Sequence, residues 1–402
     1  MTDAPAFRIE PPAFLAEPSL ASVMAAVPEA RVVGGAVRDA LARREISDID
    51  LATPRSPEQV MRALQAAGIR AVPTGLDHGT VTAVAGGRGF EITTLRRDIE
   101  TDGRHARVAF TDDWRADAAR RDFTINALSL TRDGAVFDYF DGVADLRAGR
   151  LRFVGDPATR IAEDYLRILR YFRFFARYAC GPVDPVALQA IRAAVTGLAA
   201  LSVERVWSEL ERILSAPDPR CAIALMDDLG VLGAVLPEGT EPARLAALVA
   251  SGAPADALLR LAALLTGDAI ALADRLRISG AARDRLAALR SGPVPQPGDD
   301  DAALRRMLAD EDAAVLIDRC WLAGGAAQEW AALRARLTAL PRPMFPLEGR
   351  DVLALGVAEG PRVGILLREM RQWWLDGGCT ATPDACRAAL ARRLRGEPGS
   401  SP

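Results

Sequence analysis

Strand-like patterning stops at Pro157 in this chain, and that limits where a sheet can form. Before it, short apolar or alternating runs lie at Arg31–Gly34, Ile46–Leu51, Thr80–Ala85, Phe90–Leu95 and Val136–Tyr139. Helical or glycine-rich stretches separate them. After it come long amphipathic stretches. They are broken at Gly181-Pro182, at Asp218-Pro219, at Gly230, and by the proline- and glycine-rich segment Ser291–Asp301. The expected class is therefore α+β: an N-terminal α/β domain with a mixed sheet, followed by helices alone. A chain of 402 residues is too long for one ordinary core. The expected divisions are an extended lead-in with one short helix over 1–28, an α/β domain over 29–152, and helical regions over 153–215, 216–300 and 301–402. The last dozen residues are expected to fray.

Ala, Leu and Arg dominate, and only 5% of residues are aromatic, which suits a largely helical protein. No apolar run approaches the length of a membrane span, and the acidic, proline-containing N-terminus does not read as a signal peptide. The five cysteines (Cys180, Cys221, Cys320, Cys379 and Cys386) are scattered and lack a Cys-x-x-Cys pair. A reducing, cytoplasmic setting without structural zinc is the expectation. His78 and His105 are the only histidines, too few for a histidine-rich metal centre, and both are expected in solvated loops. The net charge of −3 does not point to nucleic acid. Every basic residue is an arginine, however, the side chain best suited to bidentate phosphate and base contacts. Arginines gather most densely at Arg167, Arg170, Arg173 and Arg177, and a local basic surface matters more than the total.

The chemistry concentrates around Asp48 and Asp50, which follow the run Gly34-Gly35-Ala36-Val37-Arg38-Asp39. In a strand, residues i and i+2 share a face, so the two carboxylates point one way and Ile49 and Leu51 the other. Two carboxylates that close repel unless a cation lies between them, and oxygen-only ligation suits Mg²⁺ completed by substrate phosphates. The glycine pair admits close backbone approach, and a helix expected to start at Ala36 offers its N–H groups to an anion. Glu91, in a neighbouring strand, is a candidate third carboxylate. Arg120, Arg121 and Asn126 suit triphosphate and sugar contacts. Asp138–Gly142 ends a strand in a tight turn.

In the segment from Glu163 to Arg173, a helical reading puts Asp164, Arg167 and Arg170 on one arc and Ile168, Leu169, Phe172 and Phe175 on another. A carboxylate beside a guanidinium complements the amine and ring nitrogen shared by cytosine and adenine, and it mismatches uracil and guanine. Asp164 with Arg167 would thus select C and A without a template.

Each motif alone has an ordinary reading: a solvated strand end, a turn, a surface ion-pair cluster, i,i+4 pairing. Together and in order, Gly34-Gly35-x-Val37-Arg38-Asp39, Asp48-x-Asp50, Arg120-Arg121-Asp122-Phe123-Thr124-x-Asn126-Ala127 and Glu163-Asp164-x-x-Arg167-x-x-Arg170 resemble the class II tRNA nucleotidyltransferases. These are the CCA-adding enzymes, with bacterial poly(A) polymerases in the same family. The resemblance is strong over residues 30–215. A weaker echo near the end, Leu347–Gly364, resembles an element that binds RNA backbone or a plain structural corner.

The resemblance implies a nucleotidyltransferase (polymerase-beta-like) head, then a helical neck, body and tail that grip the tRNA acceptor arm. It makes Asp48 and Asp50 ligands of Mg²⁺, with Glu91 a possible third catalytic carboxylate. Gly34, Gly35 and Arg38 fall to the triphosphate, Arg120 or Arg121 and Asn126 to the nucleotide, and Asp164, Arg167, Arg170 and Arg173 to the base and phosphate pocket. Asp98–His105 falls where the family has a flexible loop linked to adding the final A. CTP and ATP are the implied substrates. The alternatives are a poly(A) polymerase, a CC-only or A-only enzyme, and a catalytically silent RNA-binding protein.

Overall fold

The computed structural model describes residues 4–46, 48–102, 105–179 and 181–396. They divide between two units, 1–237 and 238–402. No helix among the described residues is long and apolar enough to cross a membrane.

The strands all belong to the first unit: β1 (Phe7–Arg8), β2 (Arg31–Val33), β3 (Asp50–Thr53), β4 (Arg70–Gly75), β5 (Thr80–Ala85), β6 (Arg88–Thr94), β7 (Arg96–Asp102), β8 (His105–Phe110), β9 (Leu128–Leu130) and β10 (Ala135–Asp138). Eight form one mixed sheet in the order β1-β10-β9-β2-β3-β6-β5-β4, and β7 pairs with β8 as a separate hairpin. Within the sheet β3 and β6 run parallel, with Asp50 opposite Glu91 and Leu51 opposite Ile92. The two-residue period sorts the faces. Val32, Leu51, Val81 and Ile92 turn to one side. There they meet Leu20 and Val23 of the helix Pro18–Ala26 and Val60 and Leu64 of the helix Pro57–Ala66. Each fully buried aliphatic side chain of this kind contributes about 1.5–3 kcal/mol. Val33 and Ala52 turn to the other side, with Leu95 and Trp114.

Helix starts follow their caps. Asp113, Asp156, Asp184, Asp256, Asp268 and Asp300 each accept a backbone N–H in the first turn. Proline follows the cap at Pro57, Pro157 and Pro185, where its missing N–H costs nothing. The helix Leu166–Tyr178 buries Ile168, Leu169, Phe172 and Phe175, the arc expected to pack. Its Tyr171 stacks between Phe153 and Phe175.

The second unit is helical from Pro242 to Leu394. Leu304, Leu308, Leu316, Leu333 and Leu337 form one of its cores, and Leu347, Val352, Leu366, Met370, Trp374 and Leu390 another.

Several boundaries differ from expectation. The lead-in carries the expected short helix, Pro18–Ala26, packed inside the core, and in addition β1, which pairs with β10 at the sheet edge. The third strand is Asp50–Thr53 rather than Ile46–Leu51, because Asp48 and Ile49 precede the first ladder pair. The helix begins at Gly35, one residue early. The segment expected as a flexible loop, Asp98–His105, belongs to the paired strands β7 and β8, with Gly103 and Arg104 outside the described residues. His105 therefore opens a strand, while His78 closes a 3-10 turn. Of the last dozen residues, helix claims the stretch up to Leu394, and 397–402 lie outside the described residues, as does Cys180.

Candidate active site

A cleft of about 800 Å³ opens within the first unit, and arginines outnumber aspartates along its walls by eight to five. The β2–helix turn forms one wall. Gly34 adopts φ +67°, where the backbone favours glycine, and a Cβ there would also press the far end of Arg121, 2.9 Å away at Nη1. Gly35 has no such crowding.

Asp48 and Asp50 both face the cleft, with Ile49 and Leu51 buried behind them, as alternation requires. Partial burial raises the pKa of Asp50, the charges of Glu91 and Asp48 raise it further, and Arg121 opposes them. Glu91 stands beside Asp50 in the parallel ladder but does not line the cleft. Among the described residues no group of three His, Cys, Asp or Glu side chains can chelate an ion alone. The donor set nevertheless fits a hard divalent cation. It consists of oxygen only, and a cation there would offset the burial and the neighbouring carboxylate charges that raise the pKa of Asp50.

Behind the carboxylates runs a chain of buried polar groups. Arg38 donates Nη1–H to Asn126 Oδ1 at 2.6 Å and clamps Asp39 through Nε and Nη2. Its guanidinium lies 4.2 Å from the Tyr178 ring centre, and Tyr178 Oη donates to Asp39 Oδ1 at 2.6 Å. Three of the five Arg38 N–H groups are thereby held by protein, leaving two for a ligand. Asn126 donates to Asp122, which also accepts from the Phe123 N–H and from Arg170 Nε at 2.7 Å. Burial alone would push Asp122 up, yet Arg170 and these hydrogen bonds hold its carboxyl below the usual range. Arg121 faces the cleft, whereas Arg120 turns to Asp117 and stands outside it.

The segment expected as one helix breaks at Asp164. One helix ends at Glu163, Asp164 is extended at φ −158°, and the next begins at Leu166. Asp164 Oδ1 accepts the Leu166 N–H, which starts the second helix, and Oδ2 accepts Arg205 Nη2 at 2.7 Å. Arg167 pairs with Glu163 and donates to the Arg160 carbonyl at 2.7 Å. Asp164 and Arg167 thus line the same cleft without bonding each other's side chains, and each is held by a different partner. Arg173 pairs with Glu209 at 2.9 Å, and burial and Arg170 lower its pKa to about 10.

The structure gathers Gly34, Gly35, Arg38, Asp48, Asp50, Arg121, Asn126, Asp164, Arg167, Arg170 and Arg173 in one cleft and leaves Glu91 and Arg120 at its margin. Arg205, Arg212, Phe174 and Tyr178 also line it and were not read from the sequence. Arg205 and Arg212 are seven residues apart on the helix Val203–Leu214, two turns on one face, a spacing that could have found them.

This chain is similar to known proteins over nearly its whole length. A family model described as the poly A polymerase head domain matches residues 30–152. A second, described as the probable RNA and SrmB-binding site of polymerase A, matches 182–241. The mitochondrial CCA tRNA nucleotidyltransferase 1 of Mus musculus is 38% identical over 87% of this chain and 83% of its own. The CCA-adding enzyme of Levilactobacillus brevis is 33% identical over 94% and 97%. Among solved structures, the Bacillus stearothermophilus CCA-adding enzyme in complex with CTP superposes with a TM-score of 0.76 at 26% identity, covering 94% of this chain and 98% of that one.

Proposed function

Because the chain belongs to the CCA-adding family of class II tRNA nucleotidyltransferases, we propose that its cleft adds CMP and AMP, from CTP and ATP, to the 3′ end of tRNA. The observation that carries this reading is the meeting of two machineries in one cleft. Asp48 and Asp50 stand on one wall, and Asp164 and Arg167 on another. We assign the head to 29–152, the neck to 153–215, the body to 216–300 and the rest of the body with the tail to 301–402.

In the proposed reaction the RNA 3′-oxygen attacks the α-phosphorus in line, the bond from that phosphorus to the β-phosphate bridging oxygen breaks, and pyrophosphate leaves with the electron pair. The hydroxyl proton passes to solvent. Asp48 and Asp50 would hold Mg²⁺, and the bound ion supplies Lewis acidity for the hydroxyl and neutralises the pyrophosphate. The turn at Gly34 lets the triphosphate approach backbone, while the two remaining N–H groups of Arg38 and those of Arg121 face its oxygens. Asn126 holds both arginines, accepting from Arg38 at its side-chain oxygen and from Arg121 at its backbone carbonyl, and Asp122 in turn holds Asn126. Asp164 keeps lone pairs beyond its bonds to Leu166 and Arg205, and these accept the exocyclic amine of C or A. Arg167, fixed by Glu163, donates to the ring nitrogen. Uracil and guanine would set acceptor against acceptor and donor against donor.

The test is incorporation on tRNA lacking CCA and on tRNA ending in CC, with CTP, ATP or both, and product lengths resolved to one nucleotide. Three residues added with both nucleotides support the reading. Long A ladders on unrelated RNA would make this a poly(A) polymerase, and addition of CC or A alone would mark a partial enzyme.

A further inference from the structure

A second, smaller pocket of about 310 Å³ lies on the other side of Tyr178 from the catalytic cleft. Tyr178 lines both, with Arg38 stacked on its ring at 4.2 Å and Arg44, which lines the second pocket, at 4.6 Å. The remaining walls are apolar, Leu41, Val143 and Leu146, apart from Arg147. Most arginines of this unit are neutralised by an aspartate or glutamate. Arg44 and Arg147 have no carboxylate partner among the described residues, and neither does Arg177, beside Tyr178 in the cleft wall. Unneutralised guanidinium groups around a largely apolar slot match one unpaired nucleotide, its base against the aliphatic wall and the Arg44 guanidinium that lies over Tyr178, and its phosphate on Arg147. A row of arginines leads there. Arg167, Arg170, Arg173 and Arg177 follow the helix from its Asp164 end to its Tyr178 end, about 15 Å at 1.5 Å per residue.

We propose that this pocket holds an unpaired nucleotide of the RNA substrate, upstream of the end being extended. The proposal rests on the nucleotidyltransferase reading above and adds to it a strand-holding site outside the reacting groups. Nothing in the catalytic assignment uses Arg44, Arg147 or Leu146.

The experiment compares wild type with Arg44→Glu/Arg147→Glu, with Arg44→Lys/Arg147→Lys, and with Leu146→Trp, which fills the slot. Melting temperature checks folding. For each, tRNA lacking CCA is titrated by filter binding at two salt concentrations, and the KM values for tRNA and for CTP are measured. Charge reversal is expected to weaken tRNA binding and raise its KM at least tenfold, with a shallower salt dependence. The KM for CTP should hold. Leu146→Trp should act in the same direction, and the lysine pair should restore most of the affinity. Folded variants that bind tRNA as wild type does would overturn the site. So would a change confined to CTP or AMP binding measured without RNA, which would make the occupant a free nucleotide. The filter-binding arm reads the pocket even if wild type adds no nucleotide, the result that would instead sink the catalytic reading.

Discussion

At the scale of single residues, the cleft stores repulsion where it needs a cation. Asp50 has a folded pKa raised by burial, Glu91 and Asp48. A carboxyl whose pKa is raised on folding favours the folded state most in acid, and that advantage is lost as pH rises through the folded value. Asp50→Asn should therefore melt higher than wild type at neutral pH without Mg²⁺, with the difference closing below the ordinary carboxylate range. It should also lose activity by about a hundredfold or more. Thermal melts across pH, read beside incorporation rates, check both; a variant that melts lower at neutral pH would contradict the argument. Asp122 has the opposite sign. Its depressed pKa gives stability that is present above the unfolded value and lost as pH falls through the folded one. Asp122→Ala leaves Arg170 and Asn126 without their acceptor, and urea unfolding should show a loss of about 3 kcal/mol. The Tyr171 hydroxyl, by contrast, is buried without a hydrogen-bond partner among the described residues. Tyr171→Phe should leave stability unchanged or raise it slightly in the same assay.

At the scale of elements, the turn between β2 and its helix separates two glycines that look alike in sequence. Gly34→Ala must place a Cβ against Arg121 at a backbone conformation nearly closed to other residues, at about 1–3 kcal/mol. Gly35→Ala meets only the far end of Arg38, at 3.6 Å. The first should raise the KM for CTP and lower the unfolding midpoint, and the second should do neither. That contrast marks where the sequence was legible. Strand alternation identified Thr80–Ala85 to the residue and put Asp48 and Asp50 on the cleft side of Ile49 and Leu51. Helical periodicity located the packing arc of Leu166–Tyr178. It failed at Asp164, whose carboxylate captures a backbone N–H two residues on and stops one helix to start another, a local bond that a 100° wheel does not contain. Strand alternation missed β1 and β9, of two and three residues, too short to show a period and fixed by partners far along the chain, β10 for the first and β2 for the second. Arg205 was missed for the same reason: its meaning lies in Asp164, 41 positions away.

At the scale of the molecule, every residue lining the cleft lies within the first unit, the last being Ala216. A chain of residues 1–237 should therefore fold and bind CTP with near wild-type affinity, measured by titration calorimetry. Failure to bind would mean that the cleft needs more than its own walls. The second unit, built on helices and its own leucine-rich cores, is the part whose removal should leave that measurement alone. The order of the sheet also governs synthesis. β1 closes the edge against β10 by pairing Phe7 with Val136, and β2 pairs with both β3 and β9. On a ribosome moving at about 5–20 residues per second, Phe7 emerges roughly 6–26 s before its partner exists. The first residues to leave the exit tunnel are thus among the last to find their place, and the nascent chain carries an unmatched strand until β10 has emerged.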